Sequence, residues 1–256
     1  MPLRVPRFGF DNLITDLSGT LTADSEADGY NVENLQDWKP YTFWKPAATG
    51  DHNAKIVFST PRPVNYFCLY AQDLWKHGGT IALESSDDGG STWVSRTGTI
   101  TPVDSKPLYI SFPQFIAAQW RVRVVSTPAS AIGVVSFGVD MQLQYGAWKG
   151  FSPPIFNRNT VVTNQTSETA QPLARSINQA GNKLVLPLDF HTELWVRQNW
   201  IPFMKHAELK NWFFQWNPLD YPFDVAFCRT DKRPGAPAFS VFDMMKMDLS
   251  ADAWVD

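Results

Sequence analysis

TELWVRQNWIPFMKHAELKNWFFQWNPLDYPFDVAFCRT, running from Thr192 to Thr230, reads as helix, turn, strand, proline-rich corner and strand. It holds Trp195, Trp200, Trp212 and Trp216, four of the 11 Trp residues in the chain. Thr192 fits an N-cap, because its hydroxyl can accept from a free N–H of the first turn, and Glu193 sits where the helix dipole favours an acid. Val196, Trp200, Phe203, Met204 and Ala207 then recur on one helical face. Pro202 removes one helix hydrogen bond, so it predicts either a kink or the start of a second short helix. Trp212, Phe214 and Trp216 fall on one face of a strand. Asn217-Pro218 ends that strand. Nothing in this stretch reads as chemistry; it reads as a surface built to be buried.

Working outward from it, Leu184, Leu186, Leu188 and Phe190 alternate just upstream, with Pro187 marking an edge strand or a bulge. Downstream, a loop from Asp231 to Pro237 precedes a last strand with Phe239, Val241, Met245, Met247 and Leu249 on one face. Further upstream, Thr160–Thr163 and Leu173–Ile177 are strands, and Gln179–Asn182 is a turn. The polar run Asn164–Gln171 is an arm or hairpin tip, a feature that often pairs with a neighbour's sheet edge. Residues 159–256 therefore predict a small β-barrel or sandwich interrupted by one helix. Gly150 and Ser152-Pro153-Pro154 make a short stiff linker at 149–158.

Residues 1–148 predict an all-β unit. Lys55–Phe58 is a strand; Val64, Tyr66, Cys68 and Tyr70 alternate in the next; Ile81 and Leu83 mark another. Leu108–Phe112 follows, then Trp120, Val122 and Val124 alternating with Arg121 and Arg123, then Val135, Phe137, Val139, Met141 and Leu143. Several short strands separated by turn signals point to a β-sandwich or barrel. Ser86-x-Asp88-x-Gly90-x-Thr92-Trp93 matches the Asp-box pattern of sialidases and many other β-proteins. Its logic is turn chemistry: the Asp side chain bonds nearby N–H groups, Gly takes positive φ, and Trp packs under the hairpin. It occurs once, so it reads as a structural hairpin.

Composition bounds the function. Apolar content of 44% supports a full core, and 14% aromatic content is high; aromatics are enriched at interfaces and sugar-stacking surfaces. A net charge of −3, without a basic run, gives no footprint for nucleic acid. No stretch approaches a membrane span, and the N-terminus lacks an apolar core of signal-peptide length, so the expected origin is a cytoplasm, with exit only by assembly or lysis. Cys68 and Cys228 read as buried free thiols. There is no G-x-G-x-x-G, P-loop, H-E-x-x-H or G-x-S-x-G, and the four His residues show no ligand spacing. No enzyme activity and no cofactor is expected. Asp37 and Asp51 are the candidate calcium ligands, but no dense acidic loop surrounds them.

Two family resemblances follow. Asn31-Val-Glu-Asn-Leu-Gln-Asp37, Tyr41-Thr-Phe-Trp44, the Ser86–Trp93 hairpin and Trp120-Arg-Val-Arg123 together resemble the discoidin-like (coagulation-factor C-terminal type) β-sandwich over roughly residues 10–145. The usual D-L-G is replaced here by Ser59-Thr60-Pro61, and the clasping disulfide is missing. The resemblance implies glycan or lipid-headgroup binding through end loops, which would include Trp38–Trp44 and Asp73–His77; Trp38, Trp44, Trp75 and His77 become the candidate glycan-binding residues. The second resemblance is carried by Trp195, Phe203, His206, Phe213, Phe214, Trp216, Pro218, Tyr221, Pro222 and Val225–Cys228. It looks like tail-tip (distal tail) proteins of tailed bacteriophages, with their tube-type barrel and flanking helix. That implies a structural virion protein in the tail, in a six-fold homo-oligomeric ring, touching tube, tape-measure and hub proteins. Trp195, Trp212 and Tyr221 become the candidate subunit interface, and the sandwich faces outward. The alternative is a carbohydrate-binding module that recognises a host surface glycan.

Overall fold

The computed structural model describes residues 5–146, 150–179, 181–231 and 234–256. The expected boundary at 148 and the first residue of the linker lie outside the described residues, as do parts of the turn at 179–182 and the loop at 231–237. The chain is mainly β and divides into two units, Arg7–Gln142 with Asp256, and Leu143–Val255 with the preceding N-terminal residues.

The N-terminal unit contains β1 (Arg7–Gly9), β2 (Gly19–Ala23), β3 (Gly50–Gln72), β4 (Thr80–Ser86), β5 (Val94–Ser95), β6 (Leu108–Ser126), β7 (Ile132–Gly138) and β8 (Met141–Gln142). The alternating runs that read as four strands merge into two long ones, β3 and β6. Each serves both layers of a sandwich. The first part of β3 pairs β2 and the end of β6, Ile56 opposite Trp120; its second part pairs the start of β6 and β7, Phe67 opposite Ile110 and Phe137. Register shifts between Val57 and Arg62, and again between Val64 and Tyr66, mark the bend. Bulges turn a strand from one layer to the next, and Pro61 and Pro63 are tolerated beside such a break in the ladder. The core lies between the layers: Ile56, Phe67, Leu83, Trp120, Val135 and Phe137 are all buried in one cluster.

The C-terminal unit contains β9 (Val161–Thr166), β10 (Pro172–Gln179), β11 (Asn182–Thr192), a helical segment, β12 (Trp212–Gln215), β13 (Val225–Thr230), β14 (Ala238–Val241) and β15 (Met244–Trp254). Within it the antiparallel pairings run β11-β15-β13-β12, with β14 on β15. The expected single last strand is a hairpin, β14 and β15, because Phe242 turns back with φ of 51°. β9 and β10 pair with each other as a separate two-stranded ladder whose described side chains are almost all exposed.

The helical segment runs α1 (Glu193–Trp195), a π turn (Val196–Trp200) and α2 (Ile201–Ala207). Thr192 caps it, its hydroxyl accepting from the Trp195 N–H at 3.3 Å. The π turn directly precedes Pro202, and Ile201 N–H reaches back to the Val196 carbonyl. A local switch to i→i+5 bonding absorbs a missing donor where a kink would otherwise form. Val196, Trp200, Phe203 and Ala207 are buried on the predicted face, and Phe203 meets Trp212 edge-on at 5.1 Å. Asn217 forms the predicted turn: its Oδ1 accepts from the Asp220 N–H.

Candidate functional site

At one end of the N-terminal unit three segments converge: the loop from Ala27 to Pro46, the stretch from Ala71 to Gly79, and Thr127–Ile132. Reciprocal backbone bonds between Trp44 and Ile132, at 2.8 and 2.9 Å, fasten the first to the third. Tyr30 and Lys45 are joined by a further backbone bond, Lys45 N–H to the Tyr30 carbonyl. Asp73 ties the second to the third, its Oδ1 accepting from the Ala131 N–H at 2.7 Å. Ala71 holds a left-handed φ of 55°, which an L-residue keeps only when its surroundings enforce it. Gly133 permits that approach: a Cβ there would lie 2.8 Å from the Ala71 carbonyl oxygen and 3.3 Å from the Phe43 ring.

The result is a cleft of about 420 Å³. Tyr30 and Phe43 offer aromatic surface, and Gln72, Asp73, Lys45 and Lys76 offer polar groups. Gln72 is fixed from both ends, its Nε2 on the Asp104 carbonyl and its Oε1 accepting from the Trp75 N–H. The two ammonium groups stand differently. Lys45 Nζ sits 5.9 Å from the centre of the Tyr30 ring and Lys76 Nζ 5.6 Å from that of Trp75. Among the described residues neither has a carboxylate partner.

The four candidate glycan residues separate. Trp75, 39% exposed, lies beside this cleft, and His77 is exposed at the end of the same short turn. Trp38 and Trp44 are buried in the sandwich, Trp44 donating its indole N–H to the Ser25 carbonyl, so neither leaves a face for a ligand. The interface candidates separate too. Trp212 is fully buried against the helix; Trp195 is partly covered, stacked on His191 at 4.7 Å; Tyr221 is 52% exposed, stacked on Trp216. The sequence missed Tyr30, Phe43, Lys45 and Lys76. Lys76 adjoins Trp75 and lies within the candidate stretch Asp73–His77, and Phe43 lies within Trp38–Trp44.

Among the described residues the cleft's lining holds one carboxylate, Asp73, and neither of the two thiols. Cys68 and Cys228 are buried free thiols, pushed well up by burial and so poor nucleophiles. Asp51 is paired with Arg123 at 2.9 Å, and Asp37 accepts from Thr42 and the Lys39 N–H, so both calcium candidates already have partners. Among the described residues no three His, Cys, Asp or Glu side chains gather as a metal site. No helix among them is long and apolar enough to cross a membrane.

No protein-family model matches the chain, and no curated protein matches its sequence. Solved structures do. One is a Ruminococcus gnavus GH29 fucosidase in complex with fucose, at 12% identity and a TM-score of 0.44, covering 51% of this chain and 27% of the fucosidase. The chain thus spans about a quarter of that enzyme's length. A Clostridium perfringens module, CpGH89CBM32-5, in complex with GalNAc-β-1,3-galactose, matches at 13% identity and a TM-score of 0.42, covering 49% of this chain and 99% of the module. A pectin-binding carbohydrate-binding module matches at 16% identity and a TM-score of 0.41, covering 47% and 89%.

Proposed function

We propose that the N-terminal unit binds a saccharide in the cleft between Tyr30, Phe43, Lys45 and Lys76. The reading is carried by the composition of that cleft: two aromatic surfaces, two ammonium groups without carboxylate partners among the described residues, and a fixed amide and carboxylate. Aromatic rings cover the apolar C–H face of a sugar, and convergent polar groups take its hydroxyls. No bond is made or broken. Titration calorimetry against a panel of oligosaccharides tests it. Tyr30→Ala and Lys76→Gln should each weaken binding by about tenfold, the scale of one lost charged or aromatic contact. A folded protein that binds no saccharide at millimolar concentration sinks the proposal.

A second reading concerns the C-terminal unit. Leu219, Tyr221, Phe223 and Phe242 are exposed there, and β9–β10 carries Val161, Leu173 and Ile177 outward. Apolar side chains grouped on a surface fit an assembly face. Together with the sequence resemblance, they support assembly in a phage tail tip, as a ring of copies with tube, tape-measure and hub neighbours, displaying the sandwich toward a host glycan. Sedimentation of the purified chain checks this reading: rings or strong self-association are expected, and a clean monomer at high concentration counts against it.

A further inference from the structure

The Asp-box hairpin builds more than a turn. Ser86 Oγ donates to Asp88 Oδ1 at 2.8 Å and accepts from the Gly90 N–H at 2.8 Å, while Thr92 gives Asp88 both its N–H and its hydroxyl. Those donors, the Thr92 N–H foremost, hold the Asp88 carboxyl far below the usual carboxylate range. Gly90 has φ of 95°, and a Cβ on it would lie 2.8 Å from Gln119 Oε1. The turn so fixed holds Trp93 against its own Gly90 and beside Arg121 of the sheet. The indole N–H is tied to the Gly90 carbonyl at 3.1 Å, and the ring lies 4.4 Å from the Arg121 guanidinium carbon.

Strand register lays a polar row beneath that ring. Thr22 on β2 faces Lys55 on β3, Lys55 faces Arg121 on β6, and Arg121 faces Glu84 on β4. The core residues Ala54, Ile56, Trp120 and Val122 point the other way, as the period of two requires. Between the row and Trp93 lies a groove of about 280 Å³. Its groups are unequally satisfied. Arg121 is committed to Glu84 at 2.6 Å, and Asp24 Oδ2 accepts from the Asn53 N–H and Nδ2. Two groups are left over. Asn53 Oδ1 is buried with no partner, and Lys55 has no carboxylate partner among the described residues.

We propose that this groove is a second saccharide site, for a sugar unit bearing a carboxylate: Lys55 takes the carboxylate, and Trp93 covers the sugar's apolar edge. A cation without a carboxylate partner, beside an aromatic ring, matches an acidic hexose better than a neutral or a cationic one. A cationic sugar would meet Lys55 unshielded, and a neutral one would leave its ammonium without a counterion. The proposal rests on the reading of this unit as saccharide-binding but uses different residues from the loop cleft.

Calorimetry of the full chain with a hexuronic-acid trimer, and with the same trimer after its carboxylates are reduced to hydroxymethyl groups, isolates the carboxylate. The acid trimer should bind about tenfold or more tightly than the reduced one, the scale of a charge-assisted contact. Lys55→Gln should erase that preference, Lys55→Arg should retain most of it, and Trp93→Ala should weaken both trimers; circular dichroism verifies that each variant folds. Equal binding of the two trimers overturns the proposal, as does a preference that survives Lys55→Gln. A preference lost in Lys76→Gln but kept in Lys55→Gln also overturns it, and leaves the loop cleft as the saccharide site. A Lys55-dependent preference with no effect of Tyr30→Ala on any saccharide upholds this site and overturns the loop cleft instead.

Discussion

The N-terminal unit places Tyr30, Trp75 and Trp93 next to lysine or arginine, and its other exposed apolar side chains, such as Leu17 and Val103, come singly along the chain. The C-terminal unit groups them: Leu219, Tyr221 and Phe223 in one corner, the last 82% exposed, and Phe242 at a hairpin tip, 93% exposed. Both units bury a comparable set of large aromatics, so the difference is not in how the cores are made. Aromatic rings interleaved with cations and amides suit a hydroxyl-rich small ligand. Bare aromatic and aliphatic groups suit another protein surface. The comparison teaches that the two halves, with cores of similar make, present different kinds of surface.

The largest effect that could break this comparison is on the cores. Trp120→Ala should cost the N-terminal unit about 3–5 kcal/mol, the usual range for emptying a buried aromatic site. Measured by chemical denaturation alongside saccharide binding, it should abolish binding; retained binding with such a loss would place the ligand outside the sandwich.

Next is pH. His191 and His206, both in the C-terminal unit, are held near 4 by burial; for His206 a bond to the Asn211 carbonyl opposes that shift only in part. Both imidazoles are neutral in the fold, whereas the unfolded chain takes up a proton near 6.5. Between those values the unfolded state binds more protons, so stability is fully present above about 6.5 and falls as pH drops toward 4. The slope is about 1.4 kcal/mol per pH unit for each imidazole. Denaturation midpoints followed from pH 7 to 4 should show it, and His191→Phe should flatten the curve. An unchanged slope in that variant would remove His191 from the account.

Smaller is the helix cap. Thr192→Ala deletes the bond to the Trp195 N–H and should cost about 1 kcal/mol, read as a lower midpoint. Smallest in stability, within about 0.5 kcal/mol, is Phe242→Ser, because an exposed side chain holds nothing in its own unit. It sharpens the comparison best: sedimentation should show weaker self-association with the fold intact, and no change in association would move the contact to the β9–β10 arm.

The elements were largely legible in the sequence because their signals are local. The Thr192 cap, the buried face from Val196 to Ala207, the Asn217 turn and the Ser86–Trp93 hairpin all depend on residues within a few positions of one another. The errors share one cause as well. Trp38 and Trp44 look like a sugar platform beside Tyr41 and Phe43, yet the sandwich buries them. Trp212 looks like an interface residue until Phe203 covers it. A list of aromatic residues carries no burial.

The sequence by itself determined a mainly β chain with one helix and the turns at Ser86–Trp93 and Asn217, though not the hairpin turn at Phe242. Periodicity, capping and turn chemistry act over one to four residues, so they are written in neighbouring letters. Only the tertiary structure decided that β3 and β6 each serve both layers, that Tyr30 meets Lys76 across a cleft, and that Trp93 lies over Lys55 and Arg121. Those relations join residues dozens of positions apart, and they are fixed by strand register and core packing. The Thr192–Thr230 stretch shows both kinds of information at once: its helix and strands follow from its own residues, and which of its Trp faces remain open was settled by what packs against them.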